Sequence, residues 1–172
     1  GTAPFCPKVD QGWHIRLKNI LVKLTVCCGL NGITHVASSS LNTLNDTHVI
    51  IWDALAPDKL SNKARKVFDE ANDSEGILFC DISLWEISML IDKERLIIDV
   101  PFLEFIELLS LSRNYIFQPI TPEIADQSKK TGLGPISDPA DRLISATSIF
   151  SGSPLVTADK NIRESENVHT IW

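Results

Sequence analysis

Gly76-Ile77-Leu78-Phe79-Cys80-Asp81-Ile82-Ser83-Leu84-Trp85-Glu86-Ile87 is the stretch whose reading decides the fold. Its first half is an unbroken apolar run, the composition of a strand buried on both faces, as a parallel sheet requires. Its second half changes period. Leu84, Ile87, Leu90 and Ile91 fall on one helical stripe, with Ser83 expected as the N-cap. A buried strand that runs into a helix is the building unit of an α/β protein.

The same alternation extends in both directions. Residues 41–45 read as a short strand ending at Asp46, and Val49, Ile50, Trp52 and Leu55 place a helix over Thr47–Leu55, closed by Pro57. Ser61 is a good N-cap for a helix carrying Ala64, Val67, Phe68 and Ala71. Downstream, a helix follows Pro101 through Phe102, Phe105, Ile106 and Leu109, residues 115–120 read as a strand, and Pro122 opens a short helix. Gly132-Leu133-Gly134-Pro135 is a loop, and Asp138-Pro139 starts a helix with Leu143, Ile144, Thr147 and Phe150 inward. Residues 154–158 and 168–172 supply the last strands. Strands alternating with helices imply an α/β sandwich with a mainly parallel sheet.

With 172 residues the chain is one ordinary domain, and 44% hydrophobic residues allow a proper core. The net charge of −6 argues against coating nucleic acid by positive charge alone. It does not exclude nucleic acid, because bound cations can bring phosphate to an acidic site. The charge is uneven: four bases against one acid give residues 1–40 a net of +3 and leave −9 for residues 41–172. Ala37-Ser38-Ser39-Ser40 reads as a linker between an extension, 1–40, and a domain, 41–172. The role of the extension stays open among a targeting segment, an extra strand, a partner-binding segment and a remnant. Lys23, which interrupts the apolar run Ile20–Val26, counts against targeting. The cysteines Cys6, Cys27, Cys28 and Cys80 form neither a metal knuckle nor a disulfide scaffold, and Cys80 reads as a small buried hydrophobe. No apolar run reaches 18 residues, so no transmembrane helix and a cytoplasmic protein are expected.

Carboxylates end several elements, where parallel α/β sheets place ligand sites. Asp46 follows the first strand, Asp81 the second and Asp159 the fourth, while Glu86 lies one turn into a helix and Asp138 and Asp141 open another. Singly, each has a structural explanation: Asp46 and Asp138 as N-caps, Asp141 as complement to a helix dipole, Asp159 in an Asx turn, Glu86 on a solvated face. Together, carboxylates converging on one pocket must take up protons or a cation. Oxygen ligands without His or Cys favour Mg²⁺ or Mn²⁺, and the matching chemistry is phosphodiester hydrolysis.

Asp46-Thr47-His48-Val49-Ile50-Ile51-Trp52, Ser83-Leu84-Trp85-Glu86-Ile87, Asp138-Pro139-Ala140-Asp141-Arg142-Leu143-Ile144, Leu155-Val156-Thr157-Ala158-Asp159 and Thr170-Ile171-Trp172 occur in that order. This ordered set resembles the PIN-domain ribonucleases of the VapC toxin type over about residues 41–172. The resemblance implies a three-layer α/β/α sandwich and a Mg²⁺- or Mn²⁺-dependent endoribonuclease acting on RNA. It also implies a homodimer neutralised by a cognate antitoxin. The family's acidic quartet maps onto Asp46, Glu86, Asp141 and Asp159 as catalytic and metal-binding residues. Asp46, Asp141 and Asp159 are expected nearest the metal, with Thr157 as a supporting hydroxyl and Asp138 a reserve acid that leans towards capping. Asn45, Asp81 and Ile136-Ser137 depart from the family's usual residues at strand and rim positions, which puts substrate choice in question and leaves the four acids intact.

His48 reads as a structural histidine pinning its helix rather than a ligand. Trp52, Trp85 and Trp172 could stack on bases, with burial the stronger expectation. Lys129 and Lys130 are the better RNA-backbone candidates; Arg142 either meets phosphate or pairs with an acid. Two rival functions are a non-catalytic PIN-like module that binds protein or RNA, and a metal-dependent phosphohydrolase acting on DNA or small esters.

Overall fold

A computed structural model of the protein describes residues 42–130, 133–134 and 136–172, together with the backbone of Trp13–His14. The linker expected at residues 37–40 and the cysteines Cys6, Cys27 and Cys28 lie outside the described residues. The elements in chain order are β1 (Trp13–His14), β2 (Thr43–Asn45), α1 (Thr47–Leu55), α2 (Asn62–Asn72), β3 (Ile77–Cys80), α3 (Asp81–Asp92) and β4 (Leu96–Ile97). Then follow α4 (Phe102–Ser112), β5 (Tyr115–Gln118), α5 (Pro122–Ser128), α6 (Pro139–Ser151), β6 (Leu155–Val156), α7 (Lys160–Arg163) and β7 (Thr170–Ile171).

Five strands form one sheet in the order β5-β3-β2-β6-β7, every pairing parallel. β3 sits inside this sheet, and all four of its residues are buried. Leu78 and Cys80 join Leu44 and Leu155 on one face, against Ile144 of α6 and Ile162 of α7. Ile77 and Phe79 face the other way, towards Phe68 of α2, Ile87 of α3 and Phe105 of α4. Helices thus cover both faces, and the sandwich has three layers. Cys80 is fully buried, with Sγ 3.5 Å from Thr147 Oγ1, as expected of a small hydrophobe.

Two features fix how β3 is entered and left. Gly76 adopts φ +103, and a Cβ there would meet Ile116 Cδ1 at 2.7 Å and Asn114 O at 2.9 Å. Only glycine combines that backbone with that closeness. At the other end Cys80 passes straight into α3, so Asp81 is already helical and Ser83 is the third helical residue. The expected Ser83 N-cap is therefore incorrect: its hydroxyl turns to Thr47 Oγ1 instead, 2.8 Å away. The strand expected over 115–120 stops at Gln118, before Pro119, which has no N–H for a ladder.

The chain builds outward from β2 through β3 to β5, then returns to the far side of β2 for β6 and β7. β2 and β6 therefore flank the point where strand order reverses, and open α/β sheets bind ligands beyond the carboxyl ends of the strands at such a point. β1 pairs with β4 in a separate two-stranded parallel ladder, Trp13 opposite Leu96 and His14 opposite Ile97.

Candidate active site

The elements that end at this switch point carry the acids. Asp46 directly follows β2, and its backbone N–H donates to Val156 O of β6 at 3.1 Å, which ties the two strand ends together. Asp159 lies three residues beyond β6, ahead of α7. Asp138 precedes α6, Asp141 is its third residue, and Glu86 is the sixth residue of α3.

Three of these acids are N-caps. Asp46 Oδ1 accepts from His48 N at 3.2 Å, Asp138 Oδ1 from Ala140 N at 2.8 Å, and Asp159 Oδ1 from Ile162 N at 3.0 Å. The expected Asx turn at Asp159 is in fact this cap. Capping accounts for their places in the chain but uses only part of a carboxylate's accepting capacity. It also explains how the charge is tolerated, since helix N-termini favour anions.

One oxygen from each of Glu86, Asp138 and Asp141 lies within 4.8 Å of the other two. Of the quartet expected from the sequence, Glu86 and Asp141 stand in this trio. Asp46 and Asp159 stand outside it, and Asp138 takes the third place. Asp46 is committed elsewhere: only 2% exposed, it accepts at Oδ2 from the Thr157 hydroxyl at 2.6 Å, while His48 Nδ1 lies 3.7 Å from Oδ1. Thr157 thus supports Asp46 as expected, and it also accepts from Asp159 N at 3.0 Å.

The charges couple all five acids. Burial raises the Asp141 carboxyl to about 8, with the charges of Asp46, Asp138, Glu86 and Asp159 adding to the rise. Burial raises Glu86 to about 7 against the Thr47 hydrogen bond, which pulls it down. Asp46 goes the other way: burial would raise it, but His48 and Thr157 together hold it below the ordinary carboxylate range. His48 is the counterpart, lifted to about 9 by Asp46, Glu86 and Asp141 although burial opposes its charge. At neutral pH it is a cation that holds Asp46 ionised, in line with the structural role expected for it.

Sequence reasoning missed Thr47 and Ser83. Both are fully buried, and Thr47 Oγ1 donates to Glu86 Oε2 at 2.6 Å. No spacing rule points to them, because the contact joins two helices.

The remaining candidates are placed as follows. Trp52 is partly buried, its ring 5.8 Å from that of Trp172. Trp85 is 57% exposed, so its expected burial is incorrect; Phe150, expected inward, is likewise exposed at 53%. Apolar periodicity marks a stripe without showing that anything covers its edges. Lys129 and Lys130 are exposed, with Lys129 Nζ 3.2 Å from Asp126 and Lys130 Nζ donating to Gln127 Oε1 at 2.7 Å. Arg142 makes no ion pair with an acid among the described residues. Its guanidinium donates to the carbonyls of Ser128, Ile136 and Lys130 at 2.8–3.1 Å, tying the end of α5 to Ile136.

The donor set fits a hard divalent cation. Glu86, Asp138 and Asp141 offer only oxygen, they are close enough to share one ion, and two of them hold protons near neutrality that an ion would displace.

Comparison with known proteins places this geometry. The PIN domain family model matches residues 44–167. Ribonuclease VapC22 of Mycobacterium tuberculosis (strain ATCC 25618 / H37Rv) is 31% identical over 131 residues, which span 75% of this chain and 97% of the relative. A chain in the crystal structure of VapBC2 from Rickettsia felis bound to a DNA fragment from their promoter shares the fold, with a TM-score of 0.56 at 17% identity. That match covers 76% of this chain and 98% of the other. Strand order, acids at the sheet's switch point and sequence likeness agree, and the chain belongs to the PIN-domain family, as a protein of the VapC ribonuclease type.

Proposed function

We propose that the protein is a metal-dependent endoribonuclease that hydrolyses RNA phosphodiester bonds as the toxin of a toxin–antitoxin pair. The observation that carries this reading is the trio of carboxylate oxygens within 4.8 Å of one another at the sheet's switch point. Glu86, Asp138 and Asp141 would hold Mg²⁺ or Mn²⁺, and Asp46 and Asp159 complete the catalytic set through the charge they impose on Asp141. When bound, the ion supplies charge neutralisation for the phosphate and a lowered pKa for nearby water.

The chain's own groups do the rest. Asp46, kept ionised by His48 and Thr157, fixes the negative field at the end of β2. Glu86 and Asp141, both raised towards neutrality, would give up their protons where a divalent cation is held, and such an ion would offset the local excess of negative charge towards a polyanion. The exposed ammonium groups of Lys129 and Lys130 are the proposed contacts to the RNA backbone, and the exposed Trp85 ring offers a face for an unpaired base. The proposed partners and setting, which family membership supports, are a cognate antitoxin, a second copy of the chain in a homodimer, and the cytoplasm. Among the described residues, no helix is long and apolar enough to cross a membrane. Residues 41–172 are the proposed PIN-like domain, and 1–40 an extension whose role is unassigned.

The test compares single-stranded RNA, structured RNA, DNA and a generic phosphate ester at matched Mg²⁺. RNA cleavage that disappears in Asp46→Asn, with an unchanged circular dichroism spectrum, is the expected result. Hydrolysis of DNA or the ester instead, or partner binding without any hydrolysis, would overturn it.

A further inference from the structure

Glu86 does not stand alone on α3. Its Oε2 accepts from Thr47 Oγ1 at 2.6 Å, and Ser83 Oγ, one turn earlier on α3, lies 2.8 Å from the same Thr47 oxygen. Thr47 and Ser83 have no solvent exposure. The Thr47 hydroxyl is directed at both partners, and the shorter contact is the one to the carboxylate. The three side chains form a cluster around this one hydroxyl, with Thr47 and Ser83 closed to solvent and Glu86 half-buried beside them. Its origin is structural as well: Thr47 is the first residue of α1, next to Asp46, so the same helix start that sets Asp46 also holds Glu86.

We infer that Thr47, backed by Ser83, is a positioning residue that fixes the Glu86 carboxylate in the orientation needed to receive a divalent cation. The inference rests on the proposed metal site and adds to it a second buried hydroxyl, matched to Glu86 as Thr157 is matched to Asp46. A carboxylate anchored through one oxygen presents the other in a fixed direction. Without the anchor it can rotate, and partners of this kind typically contribute 10–100-fold to metal affinity.

Mn²⁺ titration of the full chain by calorimetry or electron paramagnetic resonance, with no RNA present, tests this. Thr47→Val, which keeps the shape and removes the hydroxyl, is expected to weaken Mn²⁺ binding by about 10–100-fold. Thr47→Ser is expected to restore affinity to near the parent level, which a purely steric role for threonine would not do. Ser83→Ala, which leaves the packing of Thr47 in place, is expected to produce a smaller loss. Thr47→Val binding Mn²⁺ as tightly as the parent protein overturns the inference and leaves the metal site standing. If Thr47→Val lacks a native circular dichroism spectrum, Ser83→Ala decides, and undiminished affinity there overturns it. A parent protein that binds no Mn²⁺ overturns the inference together with the metal site beneath it.

Discussion

Asp141 shows what concentrating acids costs the fold. Its carboxyl is raised to about 8 when folded, against about 3.9 in an unfolded chain, so protonation favours the native state. The stability it contributes is fully present below about pH 4 and is lost as pH climbs towards 8. Replacing it removes that loss: in EDTA at pH 8, Asp141→Asn is expected to melt at a higher temperature than the parent, as read by thermal unfolding. Saturating Mn²⁺ should reverse the order, because only the intact site gains stability from binding. The same residue and Glu86 set the pH dependence of metal uptake. Mn²⁺ affinity is expected to rise from pH 6 to about pH 8 and then level off, with protons released on binding. A flat profile over that range would separate the two acids from the cation.

Elements hold these side chains through contacts of a different kind. Arg113, just before β5, donates from Nη2 and Nε to Asp53 of α1 at 2.8 and 3.1 Å and from Nη1 to Asp69 of α2 at 2.7 Å. It stands over the Phe68 ring at 5.5 Å. Asp53 is 8% exposed at its side chain, so removing the guanidinium strands a buried acid. Arg113→Ala should lower unfolding stability by about 3 kcal/mol, and Asp53→Asn in the same chain should recover part of it, as measured by urea denaturation. A loss under ~1 kcal/mol, the value of a surface pair, would contradict this role. This strut was not readable in the sequence, since Asp53 and Arg113 are sixty residues apart and neither belongs to a periodic pattern. The five strands of the larger sheet and their order of appearance were readable, because the apolar run at 77–80 and the caps at Asp46, Ser61 and Asp138 are local signals, whereas the two-residue β1 and β4 carry no such signal. Exposure was less so: Trp85 and Phe150 lie at the edge of apolar stripes, and only the packing of whole layers decides such positions. Asp138 was legible as a cap, but its share in the acidic trio depends on how α6 meets α3.

At the scale of the molecule, the reversal of strand order at β2 brings together the ends of β2 and β6 and the starts of α1 and α6, and α3 then adds Glu86. The sequence showed six acids at or near the ends and starts of elements; the topology brings oxygens of Glu86, Asp138 and Asp141 within 4.8 Å of one another, with Asp46 and Asp159 near enough to act on Asp141 through their charge. Among the described residues, the three core clusters draw on Leu44 to Trp172, and the PIN family match spans 44–167. If the domain is 41–172 as proposed, a chain trimmed to those residues is expected to fold and to cleave RNA at a rate within about threefold of the full chain, a change under ~1 kcal/mol. The central claim is that this junction holds a hard cation through Glu86, Asp138 and Asp141. Crystals soaked in Mn²⁺ and measured for anomalous scattering test it most directly. A peak within about 2–2.5 Å of oxygens from these three acids is the expected result. Density that settles elsewhere, or no density at saturating Mn²⁺, would contradict it.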